Sequence, residues 1–128
     1  MAKSILIIDD DILILTTVKR LLAREGHSVT TALNGATALR KIKEGSFDLI
    51  ISDIKMPKMS GIETVKKIRE YLVQNNKSAI PEIFITGYAK EDVYQEALKL
   101  NAAGYVEKPF DIKTLVETVK DTLSTQNY

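Results

Sequence analysis

The sequence predicts an α/β fold, a doubly wound five-stranded parallel sheet with helices on both faces. Three observations carry it. Short apolar runs rich in β-branched residues recur along the chain: Ile5–Ile8, Val29–Ala32, Leu49–Ile51, Ile83–Ile85 and Tyr105–Val106. Each is too short for a globular helix and reads as a strand. Stretches of helical periodicity lie between them, so strand and helix alternate five times. Strands that are apolar on both faces and joined by helices make a parallel sheet covered on each side. Right-handed crossovers leave only a few doubly wound topologies, and periodicity leaves the strand order open.

The elements follow in order. In the first helix Ile14, Val18, Leu21 and Leu22 fall on one face. The second is short, Ala36 to Glu44, with Leu39 and Ile42 apolar. The third carries Ile62, Val65, Ile68 and Leu72; the fourth Val93, Ala97 and Leu100; the fifth Ile112, Leu115, Val119 and Leu123. Asn34 and Asp111 suit N-caps, because a short side-chain oxygen can accept from the free amides of a first turn. Gly26, Gly45 and Gly104 suit helix ends or turns. The loose connection is Val73 to Glu82, "VQNNKSAIPE", and the tail "STQNY" is expected to fray.

Composition narrows the function. A chain of 128 residues can bury a core without staples, and it reads as one domain over 1–128. With 18 Lys+Arg against 17 Asp+Glu it lacks the basic excess of a nucleic-acid binder. The chain has no cysteine, which removes disulfides, thiolate catalysis and cysteine zinc sites. The opening "MAKSILIID" is neither a signal peptide nor a membrane span, so a cytoplasmic protein without membrane contact is expected.

Ligands of open α/β sheets bind at the carboxyl ends of the strands. Four of the five strands deliver reactive groups there: Asp9, Asp10 and Asp11 after the first, Asp53 after the third, Thr86-Gly87 after the fourth, and Lys108-Pro109 after the fifth. Two carboxylates about 5 Å apart repel by about 3 kcal/mol at an effective dielectric of ~20. Three together therefore call for a cation. His27 lies at the opposite end of the sheet, so the donor set is all oxygen and suits a hard divalent ion such as Mg²⁺, or Mn²⁺. Carboxylates, a lysine and a threonine around such an ion make a site for phosphoryl chemistry, in which one carboxylate could be the nucleophile.

At this point a family resemblance is plain. The motifs "ILIIDDD", "LIISDIKMPKMSG", "IFITGYA" and "GYVEKPF" occur in order, and from Lys3 to about Thr125 the chain resembles a receiver domain of two-component response regulators, similar to the chemotaxis receiver. The resemblance implies strand order 2-1-3-4-5, a flavodoxin-like arrangement. It implies Asp53 as phosphoacceptor, Mg²⁺ held by Asp9, Asp10, Asp53 and the Lys55 backbone carbonyl, and Lys108 and Thr86 at the phosphoryl group. Lys108 would sit beside a cis X-Pro bond. Tyr105 would be a rotating switch, and Lys55 and Tyr88 would flank the site and modulate the lifetime of the phosphorylated state. Asp11 falls where the family often has an acid without a direct metal role. The implied partners are a sensor histidine kinase or a histidine phosphotransfer protein, and an output protein or fused effector domain. A phosphorylation-dependent dimer through the fourth helix, fifth strand and fifth helix is also implied. Such a chain is not an enzyme beyond its own phosphorylation and dephosphorylation.

Each residue also has a plainer reading. Asp53, Asp9 and Asp10 could be caps or turn residues, Lys108 a surface lysine, Thr86 an ordinary strand residue, Tyr105 simple packing, and Lys55 and Tyr88 surface side chains. Met1, Met56 and Met59 suit an initiator and loop packing. Three rival classes stand against the switch. A Mg²⁺-dependent aspartyl-phosphate-type phosphatase would need a second acid on the same strand, and Ile54 and Lys55 follow Asp53 instead. A flavodoxin-like cofactor binder would need a phosphate-cradling loop after the first strand. A phosphorylation-independent pseudo-receiver would not need the intact acidic set.

Overall fold

The computed structural model describes residues 2–87 and 92–125, the side chains of 92 and 93 excepted. The chain runs β1 (Ser4–Ile8), α1 (Ile12–Arg24), β2 (Ser28–Ala32), α2 (Gly35–Glu44), β3 (Leu49–Asp53), α3 (Gly61–Gln74), β4 (Glu82–Thr86), α4 (Asp92–Lys99), β5 (Gly104–Glu107) and α5 (Ile112–Thr125). The five strands are all parallel, in the order β2-β1-β3-β4-β5. The doubly wound sheet, its strand order and the helices on both faces match the expectation.

Strand alternation sends successive side chains to opposite faces. Ile5, Ile7, Leu49, Ile51, Ile83, Ile85 and Val106 meet α1 and α5 through Leu15, Val18, Leu22, Leu115, Val119 and Leu123. On the other face Leu6, Ile8 and Ile50 meet Ala38, Ile42, Ile68 and Leu72 of α2 and α3. A third cluster gathers Ile54, Ile62, Val65, Phe84 and Ala97, with Tyr94, Leu100, Ala102 and Tyr105 packed against it. Each fully buried aliphatic side chain stabilises by about 1.5–3 kcal/mol.

Several local expectations need correction. On α1 the buried stripe is Leu15, Val18 and Leu22, while Ile14 and Leu21 are only half-buried. Leu15, Val18 and Leu22, at spacings of three and four, point at the sheet, and Ile12 and Leu13 stay in solvent at 66% and 73% exposure. Ile112 opens α5 and is exposed, so its stripe starts at Leu115. In α2 Ala38 is fully buried beside Ile42, and Leu39 packs at the margin. Gly104 is the first residue of β5, where a Cβ would meet Thr118 Cγ2 at 3.1 Å. The connection after α3 begins at Asn75, because Val73 and Gln74 are helical, and Glu82 already belongs to β4. Ser124 and Thr125 remain in α5. Gln126, Asn127, Tyr128 and Met1 lie outside the described residues, as does the Val93 side chain.

Caps set the helix starts. Asn34 accepts from Thr37 N at 2.8 Å and Asp111 from Thr114 N at 2.7 Å. Ser60 and Glu63 form a reciprocal capping box on α3. Gly26, with φ of 93°, follows the α1 C-cap, and Gly45 caps α2. Glu82 is buried and takes both an Nε and an Nη2 hydrogen bond from Arg69, at 2.8 and 2.7 Å, fastening α3 to β4. No helix among the described residues is long and apolar enough to cross a membrane.

Candidate functional site

The three adjacent aspartates do three different things. Asp9 is buried at the end of β1, and its amide donates to Ala32 O at 3.1 Å, extending the ladder to β2. Asp10 is exposed. Asp11 caps α1, accepting from Leu13 N at 2.9 Å and Ile14 N at 3.4 Å, while its own amide donates to Asp9 Oδ1 at 3.0 Å. Capping of the first helix thus falls to Asp11, which leaves the carboxylates of Asp9 and Asp10 for the site.

Asp53 ends β3, which is buried along its whole length. Its Oδ1 accepts from Ile54 N at 3.0 Å. The chain then folds back: Gly61 N donates to Ile54 O at 2.7 Å, and a Cβ at Gly61 would run into the Asp53 carbonyl oxygen. Only glycine permits this approach. Ser52 Oγ donates to the same carbonyl at 2.9 Å. Oxygen atoms of Asp9, Asp10 and Asp53 all lie within 4.8 Å of one another.

Lys108 reaches the cluster from the end of β5. Its amide donates to Thr86 O at 2.7 Å, and the Lys108–Pro109 peptide is cis. Its Nζ lies 3.4 Å from Asp53 Oδ1 and 3.5 Å from Asp9 Oδ2. One ammonium therefore serves two buried carboxylates, and it does not offset their desolvation. Burial, and then the neighbouring Asp9 charge, push the Asp53 carboxyl up to about 6 despite Lys108 and the Ile54 amide. Burial likewise raises Asp9, against the Asp11 amide and Lys108. Closely spaced oxygen donors that resist ionisation unless a cation approaches fit a hard divalent ion.

A cavity of about 800 Å³ opens beside Asp53. Asp53, Lys55, Thr86 and Lys108 border it, with Ile14 of α1 and Phe110 after β5 forming an apolar wall. The structure thus brings Asp9, Asp10, Asp53, Lys108, Thr86 and Lys55 to one edge. Tyr105 is placed apart from the carboxylates: its hydroxyl donates to Ala97 O at 2.8 Å and accepts from Ala102 N at 3.0 Å. Tyr88 lies outside the described residues. His27 sits at the amino edge of the sheet, where its Nδ1 accepts from Lys3 N at 3.2 Å. Met56, in the loop after β3, packs against the core cluster on the α2 and α3 face, and Met59 sulfur backs the bare Cα of Gly35.

Sequence reasoning passed over Gly61, Ser52 and Tyr94. Gly61 carried a signal, a glycine at the start of a helix and eight residues after a buried acid. Tyr94 carried none, because its place on the cavity depends on how α4 packs.

Fold and site define an open α/β protein with an acidic, lysine-bridged centre at the carboxyl edge of its sheet. Residues 5–120 match the response regulator receiver domain, and the chain belongs to that family. It is 40% identical over 120 residues to the transcriptional regulatory protein ZraR of Klebsiella oxytoca, covering 94% of this chain and 26% of that protein. To the transcriptional regulatory protein CrdR of Helicobacter pylori it is 32% identical over 121 residues, covering 94% and 54%. The chain thus spans about a quarter to a half of the length of these relatives. Among solved structures, the chemotaxis response regulator CheY4 of Vibrio cholerae superposes with a TM-score of 0.84 at 34% identity, covering 95% of this chain and 99% of that one. A CheY-like receiver domain protein from Methanospirillum hungatei gives 0.88 at 34% identity, covering 99% and 98%.

Proposed function

We propose that the chain is a cytoplasmic signalling switch that takes a phosphoryl group onto Asp53 from a sensor histidine kinase or a histidine phosphotransfer protein. The observation that carries this reading is the close set of Asp9, Asp10 and Asp53 oxygens with Lys108 lying between Asp9 and Asp53. A buried carboxylate that is hard to ionise alone becomes a nucleophile once positive charge gathers around it.

Asp9, Asp10 and Asp53, with the Lys55 backbone carbonyl, would hold Mg²⁺. When bound, the ion neutralises carboxylate and phosphoryl oxygens and so lowers the charge barrier to their approach. The steps belong to the chain's own groups. Asp53 Oδ attacks phosphorus in line, an O–P bond forms, and the P–N bond to the donor imidazole breaks. The electron pair stays on the imidazole, which leaves neutral because its other nitrogen carries the proton. Lys108 Nζ, already tethered to Asp53, moves onto an equatorial oxygen and balances its charge. The Thr86 hydroxyl donates to a second oxygen. Ile54 N stays on the aspartyl oxygen and fixes its direction.

The phosphorylated state would bias α4, β5 and α5 toward a second arrangement read by an output protein or fused effector domain, or by a second copy of the chain. Lys55 and Tyr88 would slow hydrolysis by standing over the path of water. Incubation with Mg²⁺ and acetyl phosphate, followed by intact mass, tests the core of this reading. A gain of one phosphate that Asp53→Asn abolishes is expected, and normal labelling of Asp53→Asn would refute the assignment.

A further inference from the structure

The acceptor cavity has a wall on the α4 side, and among the described residues that wall is Tyr94 rather than Tyr105. The Tyr94 ring borders the same space as Asp53, Thr86 and Lys108. It also meets the Tyr105 ring edge-on, centroids 6.2 Å apart and planes at 78°. The Tyr105 ring is stacked on Phe84 at 6.1 Å. Register pairs Phe84 with Tyr105 and Thr86 with Glu107, so Phe84, Thr86 and Tyr105 share one face of the sheet, the face that α4 covers. From Tyr105 the contact returns to α4, because the Tyr105 hydroxyl donates to Ala97 O, three residues after Tyr94, and accepts from Ala102 N in the turn beyond the helix.

We propose that Tyr94 is a positioning residue that couples the acceptor cavity to Tyr105. The inference rests on the aspartyl-phosphate reading above. Three new phosphoryl oxygens on Asp53 enter the cavity whose lining includes Tyr94. A ring in edge contact with Tyr105 cannot shift without changing that contact. Tyr105 is fastened at its hydroxyl to the far end of the same helix, so a displaced Tyr94 loosens both ends of α4 together. An aromatic edge contact of ordinary strength sets the balance between docked and undocked Tyr105 by about fivefold. The phenol oxygen of Tyr94 has no part in this, and a phenyl ring would serve as well.

The test uses the whole chain labelled with 3-fluorotyrosine, with the Tyr105 fluorine signal assigned through Tyr105→Phe. Spectra are taken with EDTA and with Mg²⁺ plus acetyl phosphate, and intact mass reports labelling of each sample. In the parent, phosphorylation is expected to move the Tyr105 signal. In Tyr94→Leu, which keeps an apolar side chain but no ring, the signal in EDTA is expected to lie already part-way to the phosphorylated position. That corresponds to about fivefold more undocked Tyr105. Tyr94→Phe is expected to match the parent. A Tyr94→Leu protein that labels normally and keeps the parent's Tyr105 signal in both conditions overturns the coupling. So does Tyr94→Phe behaving as Tyr94→Leu, which would assign the effect to the hydroxyl. A parent that takes no phosphate is a separate outcome: it overturns the aspartyl-phosphate reading, and the coupling with it.

Discussion

Neutralising Asp53 should make the metal-free protein more stable, and the gain should depend on pH. The Asp53 carboxyl titrates at about 6 in the folded chain against 3.8 for an ordinary aspartate. Below about pH 4 it is protonated folded or unfolded and costs nothing. As pH rises from 4 through 6 the unfolded chain ionises first, so the folded state loses ground. Above about pH 6 both states are ionised and the deficit stays constant. At about 1.4 kcal/mol per pH unit, the interval amounts to about 3 kcal/mol. Asp53→Asn removes this penalty while its side-chain carbonyl can still accept from Ile54 N. The figure is an upper bound, since Lys108 loses one of its two carboxylates. For a domain of this size the corresponding change in Tm is about 10 °C. The assay is urea unfolding of parent and Asp53→Asn in EDTA from pH 4 to pH 8. The two proteins should nearly coincide at pH 4 and separate by about 2–3 kcal/mol at pH 7. Parallel curves across the whole range would refute the claim that ionising Asp53 is costly in the fold.

Three further outcomes follow from particular contacts. Asp10→Ala should abolish most of the stabilisation that Mg²⁺ gives in thermal melts, about 2.7 kcal/mol for the parent at a hundredfold excess over Kd, while raising the metal-free Tm. Gly61→Ala should cost about 3 kcal/mol in urea unfolding, because the new Cβ meets the Asp53 carbonyl, and it should impair labelling of Asp53 even when folded. Asp11→Ala should lose about 1 kcal/mol with the α1 cap, and Asp11→Asn should restore most of it, since capping needs the oxygen and not the charge.

The sheet was legible because β1, β3 and β4 are buried along almost their whole length, as the inner strands of a parallel sheet covered on both faces are. The α3 stripe was legible for a similar reason: Ile62, Val65, Ile68 and Leu72 are the apolar residues that a helix of that length must bury, and all four are buried. The first helix was harder. It carries seven aliphatic residues within its first eleven positions, so periodicity alone cannot separate Ile14 from Leu15. The sheet it packs on decides between them. Ile112 was misjudged because the first turn of α5 lies beyond the end of β5 and has nothing to bury against. The Glu82–Arg69 pair was hidden because its members are 13 residues apart and belong to different elements. The candidate site was legible as a set of residue types at strand ends. Distances were not legible, because Lys108 and Asp9 are 99 residues apart and only the order of β1, β3, β4 and β5 brings them together. Nor was Tyr94, whose role depends on the pose of a helix.

The acidic run "IIDDDILIL" shows how one local sequence can meet opposed requirements. Three adjacent carboxylates on one surface would weaken the fold. Here the backbone sends them apart. The Asp11 carboxylate is turned onto the first amides of α1, accepting from Leu13 N and Ile14 N. The Asp11 amide in turn holds one oxygen of Asp9, leaving the other toward Lys108. Asp10 stays in water. Electrostatic cost falls on Asp9 and Asp53, the two that burial has already made hard to ionise, with the Asp10 charge adding to it at Asp9. Lys108 lowers that cost without removing it, since a lysine at 3.4 and 3.5 Å from two carboxylates is a single charge shared by two. A site left short of positive charge in this way has a standing affinity for a cation, and its stability is lowest when no cation is bound.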